Sequence, residues 1–141
     1  MSQINAGFES RPLTGRMDQR APVPGPLFLV DDDLDVLAAL KFTFEADGCN
    51  VVTLTSGEAL IAAAPPRGAC IVIDQRLPGM TGLETVAQLR AAGITTPAIL
   101  ITTHPSAAVT RRAAQLDVDI VEKPLLGDAL TNKVTAIFAA N

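Results

Sequence analysis

Apolar residues fall along this chain in short unbroken runs, separated by longer stretches where they recur every three or four positions. Leu27-Phe28-Leu29-Val30 carries no polar interruption, and neither does Ala69-Cys70-Ile71-Val72-Ile73. Runs this short, rich in β-branched residues and lacking period-two alternation, predict strands covered on both faces. Asn50 to Leu54, Ala98 to Ile101 and Val118 to Val121 bring the set to five. Between the runs the period is helical. Leu37, Leu40 and Phe44 share one face of a segment that stops at Gly48, a residue suited to ending a helix. Thr55 and Glu58 have capping-box spacing ahead of a short helix over 57 to 64 that Pro65-Pro66 must end. Leu83, Val86, Ala87 and Arg90 mark a third helix up to Gly93, and residues 106 to 116 and 128 to 140 supply two more.

Five strand-helix units with connections too long for hairpins predict an α/β fold: a doubly wound, five-stranded parallel sheet with right-handed crossovers. Residues 1 to 26 stand outside the pattern. They hold Pro12, Pro22, Pro24 and Pro26, scattered arginines and almost no apolar period, the composition of a mobile tail, which leaves 27 to 141 as the single domain.

Composition narrows the class. A hydrophobic share of 48% in 141 residues fills one core, and a net charge of -4 gives no electrostatic reason to bind nucleic acid or an anionic membrane. The two cysteines, Cys49 and Cys70, have neither disulfide-framework nor metal spacing, so a reducing compartment is expected. With no membrane-length apolar run and a polar start, the chain reads as soluble and cytoplasmic.

In open parallel sheets, reactive groups collect past the carboxyl ends of the strands. There the chain places Asp31-Asp32-Asp33 after the first strand, Asp74 at the end of the third, Thr102 and Thr103 after the fourth, and Lys123-Pro124 after the fifth. Two carboxylates about 4 Å apart repel by roughly 4 kcal/mol at an effective dielectric of about 20, so gathering Asp31, Asp32 and Asp74 calls for a cation. Mg²⁺ favours one or two carboxylates together with carbonyl, water and phosphate oxygens. Asp74 is then a candidate nucleophile toward phosphorus, with Lys123 supplying charge and Thr102 a hydroxyl for the transferred group.

The segments "FLVDDDLDVL", "IVIDQRLPGMTGLE", "AILITTH" and "IVEKPL", in this order and at these intervals, resemble the receiver domain of bacterial two-component response regulators. The resemblance covers residues 27 to 140 and implies a flavodoxin-like sheet of strand order 2-1-3-4-5. It also implies that Asp74 is the phosphoacceptor, Asp32 a direct Mg²⁺ ligand and Asp31 an acidic neighbour acting through metal-bound water. The backbone carbonyl of Arg76 would be a further metal ligand, Thr102 the switch hydroxyl, and Lys123 the lysine paired with the phosphoryl group before a cis proline bond. The donor it implies is a phosphohistidine on a sensor histidine kinase or histidine phosphotransfer protein. Two positions depart from the family pattern: Ile120 replaces the switch aromatic, and His104 stands two residues past Thr102.

Plainer roles compete for several of these residues. Asp33 fits a first-turn acid at a helix N-terminus, Asp74 alone a turn-former, His104 an exposed loop residue, and Arg111 and Arg112 a solvated helix face. The expected function is a stand-alone switch that is phosphorylated, catalyses its own phosphoryl chemistry without being an enzyme on a separate substrate, and acts on a separate protein as a monomer or weak dimer. The alternatives are a Mg²⁺-dependent phosphohydrolase with its aspartyl nucleophile at Asp31, and a docking module that needs no phosphorylation. A flavin site of the same topology is disfavoured because the first loop is acidic where a phosphate cradle is needed.

Overall fold

The computed structural model describes residues 25–140. The tail expected over residues 1 to 26 therefore lies, as far as residue 24, outside the described residues. The elements alternate strictly: β1 (Pro26–Val30), α1 (Leu34–Ala46), β2 (Asn50–Leu54), α2 (Gly57–Ala63), β3 (Cys70–Asp74), α3 (Gly82–Ala91), β4 (Ala98–Thr102), α4 (Ala107–Gln115), β5 (Val118–Glu122) and α5 (Ala129–Ala140). Pro26, grouped with the tail by composition, opens β1 opposite Asn50. The first residue of a strand is a position where a missing N–H is tolerated.

The five strands form one sheet in the order β2-β1-β3-β4-β5, and every neighbouring pair is parallel. The unbroken apolar runs are explained by the two cores that the central strands separate. Phe28, Val30, Ile71 and Ile73 face Leu60 of α2, Leu83, Val86 and Leu89 of α3, and Ala113 of α4. Leu27, Leu29, Cys70 and Val72 face Leu37 and Phe44 of α1 and Leu130 and Val134 of α5. A strand residue of either parity is thus buried, which leaves no place for polar alternation. The edge strands β2 and β5 are only partly covered and keep polar residues such as Thr53 and Asp119 exposed.

Side-chain caps start the first four helices. Asp33, Ser56, Thr81 and Ser106 each accept from backbone N–H groups of the first turn. The cap of α2 corrects the expectation drawn from Thr55 and Glu58. Ser56, extended at φ -151° and ψ 160°, accepts from the Ala59 N–H, and Thr55 is spent in the bend that leaves β2. A true capping box occurs at α3 instead: Glu84 N–H donates to Thr81 Oγ1 at 3.1 Å and Thr81 N–H donates to Glu84 Oε1 at 2.8 Å. Gly48, at φ +90°, takes the left-handed turn that closes α1. Among the described residues, no helix is long and apolar enough to cross a membrane.

Candidate functional site

Because every strand is parallel, all five carboxyl ends reach the same edge of the sheet. The ladder extends beyond the strands and stiffens that rim: Asp31 N–H donates to Leu54 O at 3.1 Å, Gln75 N–H to Ile101 O at 2.9 Å and Lys123 N–H to Thr102 O at 2.9 Å. Side chains leaving these positions start from fixed backbone.

They meet in an open cleft of about 720 Å³ lined by Asp31, Asp32, Asp33, Asp74, Arg76, Leu77, Pro78, Thr102, Thr103 and Lys123. Every site residue singled out in the sequence, Asp31, Asp32, Asp74, Arg76, Thr102 and Lys123, is among them. Oxygens of Asp31, Asp32 and Asp74 lie within 4.8 Å of one another. Asp31 and Asp74 are each 4% exposed, whereas Asp32 opens to solvent. Lys123 Nζ sits 2.8 Å from Asp74 Oδ1.

The charges in this cleft act on one another. Burial raises the pKa of Asp31, and the charges of Asp74 and Asp32 push the same way, against the Asp33 N–H and the Lys123 ammonium. For Lys123, burial by itself works downward, but the hydrogen bond and charge of Asp74, joined by Asp31 and Asp33, outweigh it and the pKa rises. The ammonium stays protonated. Asp31 Oδ1 accepts from Asp33 N–H at 2.9 Å, while Oδ2 is buried without a hydrogen-bond partner. A buried carboxylate oxygen with nothing to bond is unfavourable unless a cation meets it. Three clustered carboxylates, one of them with this free oxygen, fit a hard divalent ion such as Mg²⁺.

The competing local roles resolve residue by residue. Asp33 lies at the cleft but spends its carboxylate on the N-terminus of α1, where Oδ1 accepts from Asp35 N–H at 3.0 Å and Val36 N–H at 3.2 Å. His104 is exposed in the β4–α4 loop at φ +48°, and Arg111 and Arg112 are exposed on α4. Ile120 is half-buried against the core beneath α2, α3 and α4. The Lys123–Pro124 peptide bond is cis. Two supporting residues escaped the sequence reading. Gly82 lets α3 abut the end of β3, because a β-carbon there would lie 2.6 Å from the Asp74 carbonyl oxygen and 2.8 Å from Leu100 Cδ1. Gln75, a polar residue directly after Asp74, accepts the Leu83 N–H on its side-chain oxygen at 2.9 Å.

The family model for the response regulator receiver domain matches residues 27–135. The chain belongs to this family. Nodulation protein W of Bradyrhizobium diazoefficiens is 34% identical over 133 residues, covering 88% of this chain and 59% of that protein. The transcriptional regulatory protein FixJ of Azorhizobium caulinodans is 37% identical over 114 residues, covering 79% of this chain and 54% of that protein. The chain thus spans between half and three-fifths of these relatives' length. Among solved structures, FixJ-N superposes with a TM-score of 0.75 at 28% identity, covering 83% of this chain and 95% of that chain. The response regulator StyR gives 0.76 at 30% identity, covering 83% and 61%. Receiver domains belong to two-component systems, are phosphorylated by histidine kinases or phosphotransfer proteins, and generally bind Mg²⁺ at an acidic pocket.

Proposed function

We propose that Asp74 of this receiver domain accepts a phosphoryl group from the phosphohistidine of a sensor histidine kinase or a histidine phosphotransfer protein, and that a partner protein reads the modified surface. One observation carries the reading: a buried carboxylate at a strand end, with an ammonium 2.8 Å away on one side and two further carboxylates within 4.8 Å. In the transfer, an Asp74 oxygen forms the new P–O bond as the P–N bond breaks, and the departing imidazole nitrogen keeps the electron pair. Lys123, already held at Asp74, faces the charge that accumulates on the transferred oxygens. Thr102, at the end of β4 on the same cleft, offers its hydroxyl to one of them.

Asp31, Asp32, Asp74 and the Arg76 backbone carbonyl are the groups that would hold Mg²⁺. When bound, the ion supplies the positive charge that offsets the carboxylates and the incoming phosphoryl oxygens. In this reading the chain is a phosphoacceptor that works its own chemistry and turns over no separate substrate. The added charge of about -1.5 to -2 biases an existing conformational equilibrium. With Ile120 in place of an aromatic ring, that bias runs through Thr102 and the loop that follows it.

The test is intact-mass measurement after incubation with acetyl phosphate and Mg²⁺. One phosphoryl group is expected on the parent, and none on Asp74→Asn or on the parent with chelator. Labelling of Asp74→Asn at the parental level would refute the assignment. Loss of phosphomonoester turnover in Asp31→Asn, with labelling unrelated to Asp74, would favour a phosphohydrolase instead.

A further inference from the structure

Gln75 occupies the one position between Asp74, the proposed phosphoacceptor, and Arg76, which lines the cleft and whose backbone carbonyl is a proposed Mg²⁺ ligand. Three of its hydrogen-bonding groups are engaged across the fold. The backbone N–H donates to Ile101 O at 2.9 Å, and the backbone oxygen accepts from Gly82 N–H at 3.1 Å. The side-chain Oε1 accepts from Leu83 N–H at 2.9 Å. The first bond ties Gln75 to β4, and the other two tie it to the first turn of α3. The loop from Arg76 to Thr81 is therefore closed at its neck by two bonds to a single residue.

Helix geometry explains why the side-chain bond matters. The first N–H groups of a helix have no partner within it. In α3 the Glu84 N–H goes to Thr81 Oγ1. The Gly82 and Leu83 N–H groups both go to Gln75. Gln75 is thus a second cap for α3, supplied from the end of β3, and it can serve only because Gly82 lets the two elements touch. Within the loop, Leu77 is buried, and Arg76, Leu77 and Pro78 line the cleft. The same neck that caps α3 therefore sets where this wall stands relative to Asp74.

We infer that Gln75 is a positioning residue: its side-chain oxygen, bonded to the Leu83 N–H, holds the Arg76 carbonyl in place for Mg²⁺ and so sets the metal affinity of the site. This rests on the proposed role of Arg76 and Asp74. Groups that orient metal ligands from outside the coordination sphere typically govern affinity by about 10- to 100-fold. Gln75→Met keeps length and bulk but has no acceptor of comparable strength. Gln75→Glu keeps an acceptor oxygen at a helix N-terminus, where negative charge is favourable. Thr81→Val is the control, because it removes the cap of the same helix turn without touching the Arg76 end of the loop.

The experiment is a Mg²⁺ titration of the full chain and the three variants by calorimetry, beside thermal unfolding of each and phosphoryl uptake from acetyl phosphate at saturating Mg²⁺. We expect Gln75→Met to bind Mg²⁺ roughly tenfold more weakly or worse, with uptake recovered at saturating metal. Gln75→Glu should bind at least as tightly as the parent, and Thr81→Val should lose thermal stability with unchanged Mg²⁺ affinity. Parental Mg²⁺ affinity in Gln75→Met would overturn the inference, as would equal weakening in Gln75→Glu or in Thr81→Val. If Gln75→Met does not fold, Gln75→Asn, whose shorter side chain cannot reach the Leu83 N–H, takes its place with the same expected weakening, and parental affinity in it would overturn the inference. A parent that neither binds Mg²⁺ nor takes up phosphoryl would overturn the proposed function itself, whereas a competent parent beside an indifferent Gln75→Met overturns only the role of Gln75.

Discussion

Replacing Asp31 by Asn is expected to make the metal-free protein more stable while removing its response to Mg²⁺. Asp31 and Asp74 are each 4% exposed, and oxygens of the two lie within 4.8 Å. At an effective dielectric of about 20, two charges at that spacing repel by about 3.5 kcal/mol. Lys123, 2.8 Å from Asp74 and about one-third exposed, already offsets part of this. With solvent screening included, the gain recoverable in Asp31→Asn is roughly 1 to 2 kcal/mol, or roughly 4 to 10 °C in the thermal midpoint of a domain of this size. The amide keeps an acceptor for the Asp33 N–H and converts the partnerless Oδ2 into a donor facing carboxylates. The direction of the pH effect follows from burial, which raises the Asp31 pKa above 3.8 in the folded protein. The folded state then holds its proton where the unfolded chain has lost it, so the penalty is absent below about pH 3.8, grows as pH rises through the raised value, and is complete above it. Thermal unfolding of parent and variant in chelator, from acid to neutral pH, should show a gap that opens over this window. Added Mg²⁺ should stabilise the parent by about 2.7 kcal/mol at a hundred times the dissociation constant and leave the variant unmoved. A metal-free Asp31→Asn less stable than the parent, or a gap that ignores pH, would refute the reasoning.

Three further outcomes follow from the geometry. Ser56→Ala should lower stability by about 1 kcal/mol in urea unfolding while Thr55→Ala leaves it nearly unchanged, since Ser56 alone caps α2; the reverse ranking would restore the Thr55 cap. Gly82→Ala should destabilise by about 1 to 3 kcal/mol, because its methyl meets the Asp74 carbonyl at 2.6 Å and Leu100 at 2.8 Å, and it should lower phosphoryl uptake at Asp74 as well. Cys70 is fully buried with its thiol pushed by burial up to about 12, whereas Cys49 is only half-buried. An aromatic disulfide reagent at pH 8 should therefore modify Cys49 in the folded protein and reach Cys70 only on unfolding. Equal reaction rates would contradict the packing.

The alternation of short apolar runs with helical periods was enough to place all five strands and five helices, because each pattern is local: an unbroken run of a few residues, or an apolar repeat every three to four. Crossover length then left only a parallel sheet. Parallel order in turn sends every strand's carboxyl end to one edge, so Asp31, Asp32, Asp74, Thr102 and Lys123 were legible as neighbours before any distance was known. The misreading at α2 shows where local pattern stops. Thr55 and Ser56 both carry a hydroxyl able to cap a helix, and the choice between them depended on where β2 releases the backbone.

The chain's own order of residues determined the fold class and which residues gather at the acidic cleft, since these depend on residue type and on period. Only the folded molecule decided that Asp31 is buried with one oxygen unanswered while Asp32 faces water, that Asp33 is consumed in capping α1, and that Gln75 reaches across to α3. Each of these turns on tertiary placement: how deep a strand end sits, and which backbone groups distant or successive segments leave within reach of one another. A hydrogen bond acts over about 3 Å, and such closeness between Gln75 and Leu83, or between Lys123 and Asp74, is created by packing alone.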